Sequence, residues 1–253
     1  MNRTILDLSL FRWIESQTSE ADRRALLSIR EALCGITASY RYLEVGSHLG
    51  GSLQPHVVDT RCTSIISIDP RPLEQADERW QANYRYEGNS TERMLTLLLQ
   101  IPAANIDKIQ TFEASASDLS PTSIAAPVEF GFIDGEHTNA AVVRDFNAVR
   151  RFLSPASILA FHDCFVTLEA LVEIRHNLCH EGQKHCFLYF PESDVVAIAF
   201  NSTPLMEALL NLGWKQGLPK FRWRRLKLVL EKRCPGIVSV LRRYRSRLTN
   251  KLP

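Results

Sequence analysis

The chain has 253 residues, an apolar fraction of 45% and a formal net charge of +2; this suits one large α/β domain with an appendage and excludes an intrinsically disordered chain. No apolar run reaches the roughly 18 residues that a membrane-spanning helix needs. Asp7 and Arg12 interrupt the N-terminus too early for a secretory leader, so a cytoplasmic location is expected.

Residues 1–38 read as helical, with Ser19 as N-cap and Ala25, Leu26, Ile29, Leu33 and Ile36 at helical spacing. Residues 41–45 form the first strand candidate and run into a Gly-rich turn. Residues 64–68 form the second, stopped by Asp69 and Pro70. A helix capped by Ser90 is expected over 89–99, with Met94 and its leucine neighbours as core. Strands follow at 108–113 and 128–133, the latter ending at Asp134 and Gly135. An amphipathic helix over 139–153 is closed by Pro155, and a strand at 157–161 leads into His162, Asp163 and Cys164. A helix at 168–178 and two strands at 186–190 and 195–200 complete the pattern. The alternation predicts an α/β fold, a mostly parallel sheet with helices on both faces. The last two strands have no helix between them, so the final strand is expected to be antiparallel. Three parts are expected: a helical segment 1–38 serving as substrate lid or oligomer contact, a central domain 39–202, and a basic helical tail 203–253.

In open α/β sheets ligands bind at the carboxyl ends of the strands, and five strand ends here carry polar, acidic or Gly-rich residues. The first is the loop Glu44-x-Gly46-x-x-x-Gly50-Gly51-Ser52. Its glycines let backbone approach a ligand closely. It is not the Gly-x-Gly-x-x-Gly dinucleotide pattern, and its acidic lead residue would repel a pyrophosphate. An acidic lining suits S-adenosylmethionine (SAM), which carries a sulfonium and an ammonium and no phosphate. Asp69, about twenty residues beyond the loop, is placed to accept hydrogen bonds from ribose hydroxyls.

The segments 42–52, 65–70, 130–137 (with Phe-Ile-Asp-Gly-Glu-His at 132–137) and 161–164 resemble the class I SAM-dependent methyltransferases. Within that class they are most similar to the branch of small-molecule and sugar O-methyltransferases, over about residues 38–200. The resemblance implies a Rossmann-like, seven-stranded sheet. It implies Glu44, Gly46 and Ser47 near the amino-acid end of SAM, with Gly50, Ser52 and Asp134 also in the cofactor pocket. Asp69 is implied on the ribose, and Ser115 and Ala116 beside the adenine. Many relatives have an acid where Ser115 stands. Some relatives bind a divalent cation such as Mg²⁺ after the fourth and fifth strands. The matching residues are Asp134 and Asp163, with Glu136 or His162 as further ligands; the usual pair of adjacent acids is here His162 and Asp163. Without metal, the general base is His137, His162 or Asp163.

From Lys215 onward the chain has 13 of its 30 Lys/Arg and one of its 28 acids, Glu231, which leaves 17 basic and 27 acidic residues before it. Trp, Leu and Arg interleave in this tail, so residues 219–251 fit an anionic membrane surface, nucleic acid, the acidic body or a second copy of the chain. A lipid-linked saccharide becomes the natural acceptor if the tail binds membrane. A nucleic-acid methyltransferase, a non-catalytic Rossmann-like protein and a hydroxylase-type relative are the alternatives. No Asn-Pro-Pro-Tyr-type motif follows the fourth strand to support base methylation. The six cysteines are scattered and read as reduced thiols. The cluster His176, Cys179, His180, His185 and Cys186 lacks zinc spacing and reads as a helix-to-strand connection.

Overall fold

The protein is described by a computed structural model covering residues 6–79 and 83–219. Most of the basic segment 219–251 lies outside the described residues. The elements in order are α1 (Glu20–Cys34), β1 (Tyr40–Val45), α2 (Gln54–Val58), β2 (Cys62–Ile68), β3 (Glu74–Gln75), β4 (Tyr84–Arg85), α3 (Thr91–Leu99), β5 (Ile109–Phe112), β6 (Val128–Ile133), α4 (Asn139–Val149), β7 (Leu153–Phe161), α5 (Leu168–His180), β8 (His185–Tyr189), β9 (Val196–Phe200), α6 (Thr203–Asn211) and β10 (Lys215–Gln216).

Ser19 and Ser90 cap α1 and α3 as expected. Ser19 forms a capping box with Asp22, which satisfies two of the otherwise unpaired donors at the helix start. Ile36 falls beyond the Gly35 C-cap and is exposed, so the helical spacing overran the helix by one turn. Residues 6–19 are not helical except for a single 3-10 turn, Leu8–Phe11. The β3–β4 hairpin and α2 were not expected; both are too short for periodicity to register.

The main sheet has eight strands in the order β10-β8-β9-β7-β6-β1-β2-β5. The run from β5 to β7 is parallel. β9 is antiparallel to β7, β8 to β9, and β10 to β8. The expected antiparallel strand is thus β9, and β10 adds an eighth strand beyond residue 202. Alternate side chains build two cores, as the pleat requires. Tyr42, Ile65, Phe130 and Phe132 meet α1, α2, α3 and α6, whereas Leu43, Ile66, Ile133 and Leu159 meet α4 and α5. The chain runs outward from β1 to β5, then returns to β6 on the other side of β1. The switch point therefore lies between β1 and β6, where a ligand crevice is expected.

Candidate active site

Gly46 and Asp134 meet at that switch point. The Asp134 N–H donates to the Val45 carbonyl at 2.9 Å, and a Cβ on Gly46 would collide with the Asp134 carbonyl. Only glycine fits there, and its φ of +88° adds a second reason. The loop that follows is tied from below. Glu44 is fully buried and accepts hydrogen bonds from Tyr42 (2.7 Å) and from Ser52. Burial pushes its carboxyl up to about 8 against the pull of those two donors, and the nearby Asp134 and Asp69 push the same way. Ser47 shares a 2.5 Å hydrogen bond with Ser67 on β2. Asp69 accepts from the backbone N–H of His48 and of Arg71, each at 2.8 Å. Gly50 packs against Met94 and Leu98 of α3.

Two cavities of about 270 Å³ each flank Gly46. The first is lined by Ser47, His48, Ser52, Asp134, His137, His162 and Asp163, and by the N-terminal residues Glu15 to Ser19 and Asp22. The second holds Ser115 and Ala116 together with Gly135 and Asp145. Glu44, Gly50 and Asp69 line neither cavity; they hold the loop that does. Asp145 is buried, and its carboxyl is raised to about 6 by that burial.

The first cavity is an acid–base cluster. His162 Nδ1 lies 3.0 Å from Asp134, and its Nε2 lies 3.3 Å from Asp22, an ion-pair distance without hydrogen-bond alignment. His137 Nε2 lies 3.1 Å from Asp163, and its Nδ1 lies 3.0 Å from Asp77. Burial alone would lower both imidazoles, but the carboxylates around them outweigh it. His137 is pushed up to about 9 and His162 well above the usual histidine value. In return Asp134 falls to about 2, its burial being overcome by the two rings. Asp163 sits at φ +49° and His48 at φ +44°, left-handed backbone that non-glycine residues rarely hold. In Asp163 this conformation starts a turn: its carbonyl accepts from Val166 at 2.9 Å.

Arg79, which the sequence reading did not single out, enters the same cluster. Its guanidinium contacts Asp77 at 2.5 Å and Asp163 at 3.0 Å. It also lies 2.8 Å from His137 Nδ1, the nitrogen that faces Asp77. One ring nitrogen cannot both donate and accept. With Asp77, Asp134 and Asp163 around it, His137 carries both protons and donates to Asp77, which it shares with Arg79. Asp22 was likewise missed as a site residue. Its oxygens accept from Ser19 N–H (2.8 Å), Ser193 (2.7 Å) and the Asp194 N–H (2.8 Å), so it joins α1 and the β8–β9 turn to His162. The capping-box pattern at Ser19 was the one sequence signal that pointed at it.

Asp134, His162 and Asp163 are the described residues whose donor atoms lie close enough together, within 4.8 Å, to share one ion. As arranged they do not fit a hard cation. Both nitrogens of His162 face carboxylates, and Asp163 already neighbours a guanidinium and an imidazolium. A hard cation prefers oxygen donors free of other positive charge. The Cys179–His185 approach at 3.9 Å belongs to the connection from α5 to β8, as expected.

Residues 43–164 match the family model for the methyltransferase domain. An uncharacterized protein of Acanthamoeba polyphaga mimivirus is 24% identical over 124 residues, which is 48% of this chain and 50% of that protein. The chain therefore spans about half the length of that relative. The solved structure of the O-methyltransferase NovP is similar in fold, with a TM-score of 0.54 and 16% identity over 71% of this chain and 81% of that one. The cofactor-bound structure of Rv0187 from MTB is similar at a TM-score of 0.52 and 12% identity, over 78% of this chain and 88% of that one.

Proposed function

We propose that this chain, whose residues 43–164 match the family model for the methyltransferase domain, transfers the methyl group of SAM to a hydroxyl oxygen of a small molecule or saccharide. The observation that carries the reading is the pair of cavities meeting at Gly46. The second cavity takes the adenine beside Ser115 and Ala116. Asp69 lines neither cavity and serves the ribose end indirectly, by holding the loop at their junction through the His48 and Arg71 N–H groups. The first cavity takes the methionine end, with Ser47, Ser52 and Asp134 near its ammonium and sulfonium. Glu44 acts on that end through Ser52, which its carboxyl positions.

The acceptor then enters the same cavity from the side of residues 15–19. Ser16, Gln17, Thr18 and Ser19 offer hydroxyl and amide groups, and Tyr86 and Phe165 offer ring faces. Such a lining suits a polyhydroxylated ligand. The acceptor oxygen attacks the methyl carbon in line as the carbon–sulfur bond breaks, leaving the neutral thioether S-adenosylhomocysteine (SAH). Holding the two reactants in that geometry supplies much of the rate. The hydroxyl becomes strongly acidic as the carbon–oxygen bond forms, so a weak base suffices to take its proton. His137 and His162 are held protonated, which leaves Asp163 as the acceptor of that proton, steadied by His137. The similarity in fold to the O-methyltransferase NovP supports oxygen as the target atom. The charge asymmetry of the sequence supports an anionic membrane surface for residues 219–251, and hence a lipid-linked saccharide as one acceptor.

Labelled SAM incubated with hydroxylated acceptors, with and without EDTA, tests the reading. Label should enter a saccharide or small molecule, with EDTA indifferent. Absence of SAM binding by calorimetry at millimolar SAM would overturn it, and label entering RNA alone would move the acceptor to nucleic acid. The pH–rate profile checks the base: a rise to about pH 9 would assign the role to His137 instead.

A further inference from the structure

Arg79 is a guanidinium at the first cavity to which that reaction assigns no role. Arg79 lies in the stretch between β3 and β4, yet its placement is fixed by backbone. The Glu78 N–H donates to the His137 carbonyl at 3.1 Å, and the carboxylate of Glu78 accepts from the Asn139 N–H (2.8 Å) and side chain (2.7 Å) at the start of α4. The Arg79 N–H itself donates to Asp77 at 2.8 Å. The turn 77–79 is thus riveted to the end of β6 and the start of α4, and it delivers the guanidinium into the cavity rather than letting it swing in solvent. There one edge contacts Asp77 at 2.5 Å and the other contacts Asp163 at 3.0 Å. Arg79 lines the cavity beside Asp134, His137 and Asp163.

We propose that Arg79 stands in for a divalent cation at this site, so that methyl transfer proceeds without metal. Its planar fork bridges two carboxylates from separate elements, a geometry that guanidinium makes and ammonium does not. It supplies the positive charge that orients Asp163 toward the acceptor hydroxyl, the job a bound cation would do by coordination. Arg79 is therefore a positioning residue: it acts through Asp163. Four carboxylates (Asp22, Asp77, Asp134, Asp163) face Arg79 and the two histidines. A dication added to that set would meet the fixed guanidinium at Asp163.

The role assigned to Asp163 rests on the methyl-transfer reading, but the exclusion of metal does not, and the experiment separates them. The full chain, stripped with EDTA, is titrated with Mn²⁺ and followed by loss of the free-ion electron paramagnetic resonance signal. SAH is titrated in parallel by calorimetry. The wild type should take up no Mn²⁺ below about 1 mM. Arg79→Ala, with its charge removed, should bind Mn²⁺ at least about tenfold more tightly, and Arg79→Ala with Asp163→Asn should lose that gain. Arg79→Lys keeps the charge without the fork; it should stay free of Mn²⁺ and recover only part of the turnover lost in Arg79→Ala. Micromolar Mn²⁺ binding by the wild type overturns the proposal. So does a folded Arg79→Ala variant that binds Mn²⁺ no better than wild type. The wild-type titration needs no variant to fold. Failure to bind SAH would overturn the methyltransferase reading and leave the Mn²⁺ result standing.

Discussion

At the amino-terminal rim of the sheet, His56 stacks on Tyr42 with ring centroids 3.7 Å apart, and its Nδ1 lies 2.8 Å from the Tyr40 hydroxyl. At the carboxyl-terminal rim, His137 and His162 lie against Asp77, Asp134, Asp163 and Asp22. All three rings are largely or wholly buried. Burial holds His56 neutral, with Arg30 adding to the same effect, so its pKa falls well below the usual value. Carboxylates reverse that outcome at the other rim. What separates the rims is access and charge, not residue type. The His56 end is sealed by Tyr40, Tyr42 and Phe130, while the Asp134 end opens on a cavity. A buried histidine in an apolar seat is held neutral, whereas one among carboxylates beside a cavity is held charged.

The open rim depends most on Asp134, which both imidazoles face. Asp134→Asn removes the charge that both imidazoles share, and methyl transfer should fall by about a hundredfold or more, measured with labelled SAM. A smaller loss would place the reaction elsewhere in the cavity. Next comes the contact that encloses the open rim. The buried Gln54 amide accepts from the backbone N–H of Trp13 and Ile14, each at 2.9 Å, and donates to the carbonyls of Ile14 and Gly51. Gln54→Ala strands those groups and should cost about 3 kcal/mol in denaturant unfolding. SAH affinity should weaken with it, because residues 15–19 lose their anchor to the loop.

The histidines then separate by pH. His56 binds fewer protons folded than unfolded, so its contribution to stability rises with pH and is lost as pH falls below about 6.5. His137 binds more protons folded. Its contribution is fully present below about 6.5 and is lost as pH rises toward about 9. Denaturant unfolding across pH 5–10 should show His56→Gln flattening the acid side and His137→Gln the alkaline side. The same window affected by both would erase the distinction between the rims. The smallest effect is expected at Tyr40→Phe, which removes the hydroxyl's hydrogen bond with His56 and its longer donation to Asp59 at 3.4 Å. It should cost about 1 kcal/mol and leave SAH affinity unchanged.

Much of the site was legible because it sits where strands end. Asp134, His162 and Asp163 follow long apolar runs whose boundaries periodicity marks well, and Gly46 announces a tight turn. Glu44 and Asp69 were legible as positions but not as orientations. Both point into the loop's underside, where Tyr42, Ser52, His48 and Arg71 meet them. Arg79 and Asp77 were not legible. They lie in the irregular stretch after β2, with no helical or strand period, and their meaning comes from contacts with His137 and Asp163, 58 and 84 residues away from Arg79. Asp22 carried a local signal as a capping residue, but its link to Ser193 spans 171 positions.

The alternation of strands and helices, the Gly-rich turn after β1 and the acidic strand ends are all written in the chain itself. Those features depend on local pattern: apolar period, turn chemistry and capping act over a few residues. Which side chains share a charge cluster, and which ring is neutral, depends on tertiary packing. It alone sets a guanidinium beside Asp163. Electrostatic character is set by distance in space, and folding brings together groups that the chain keeps far apart.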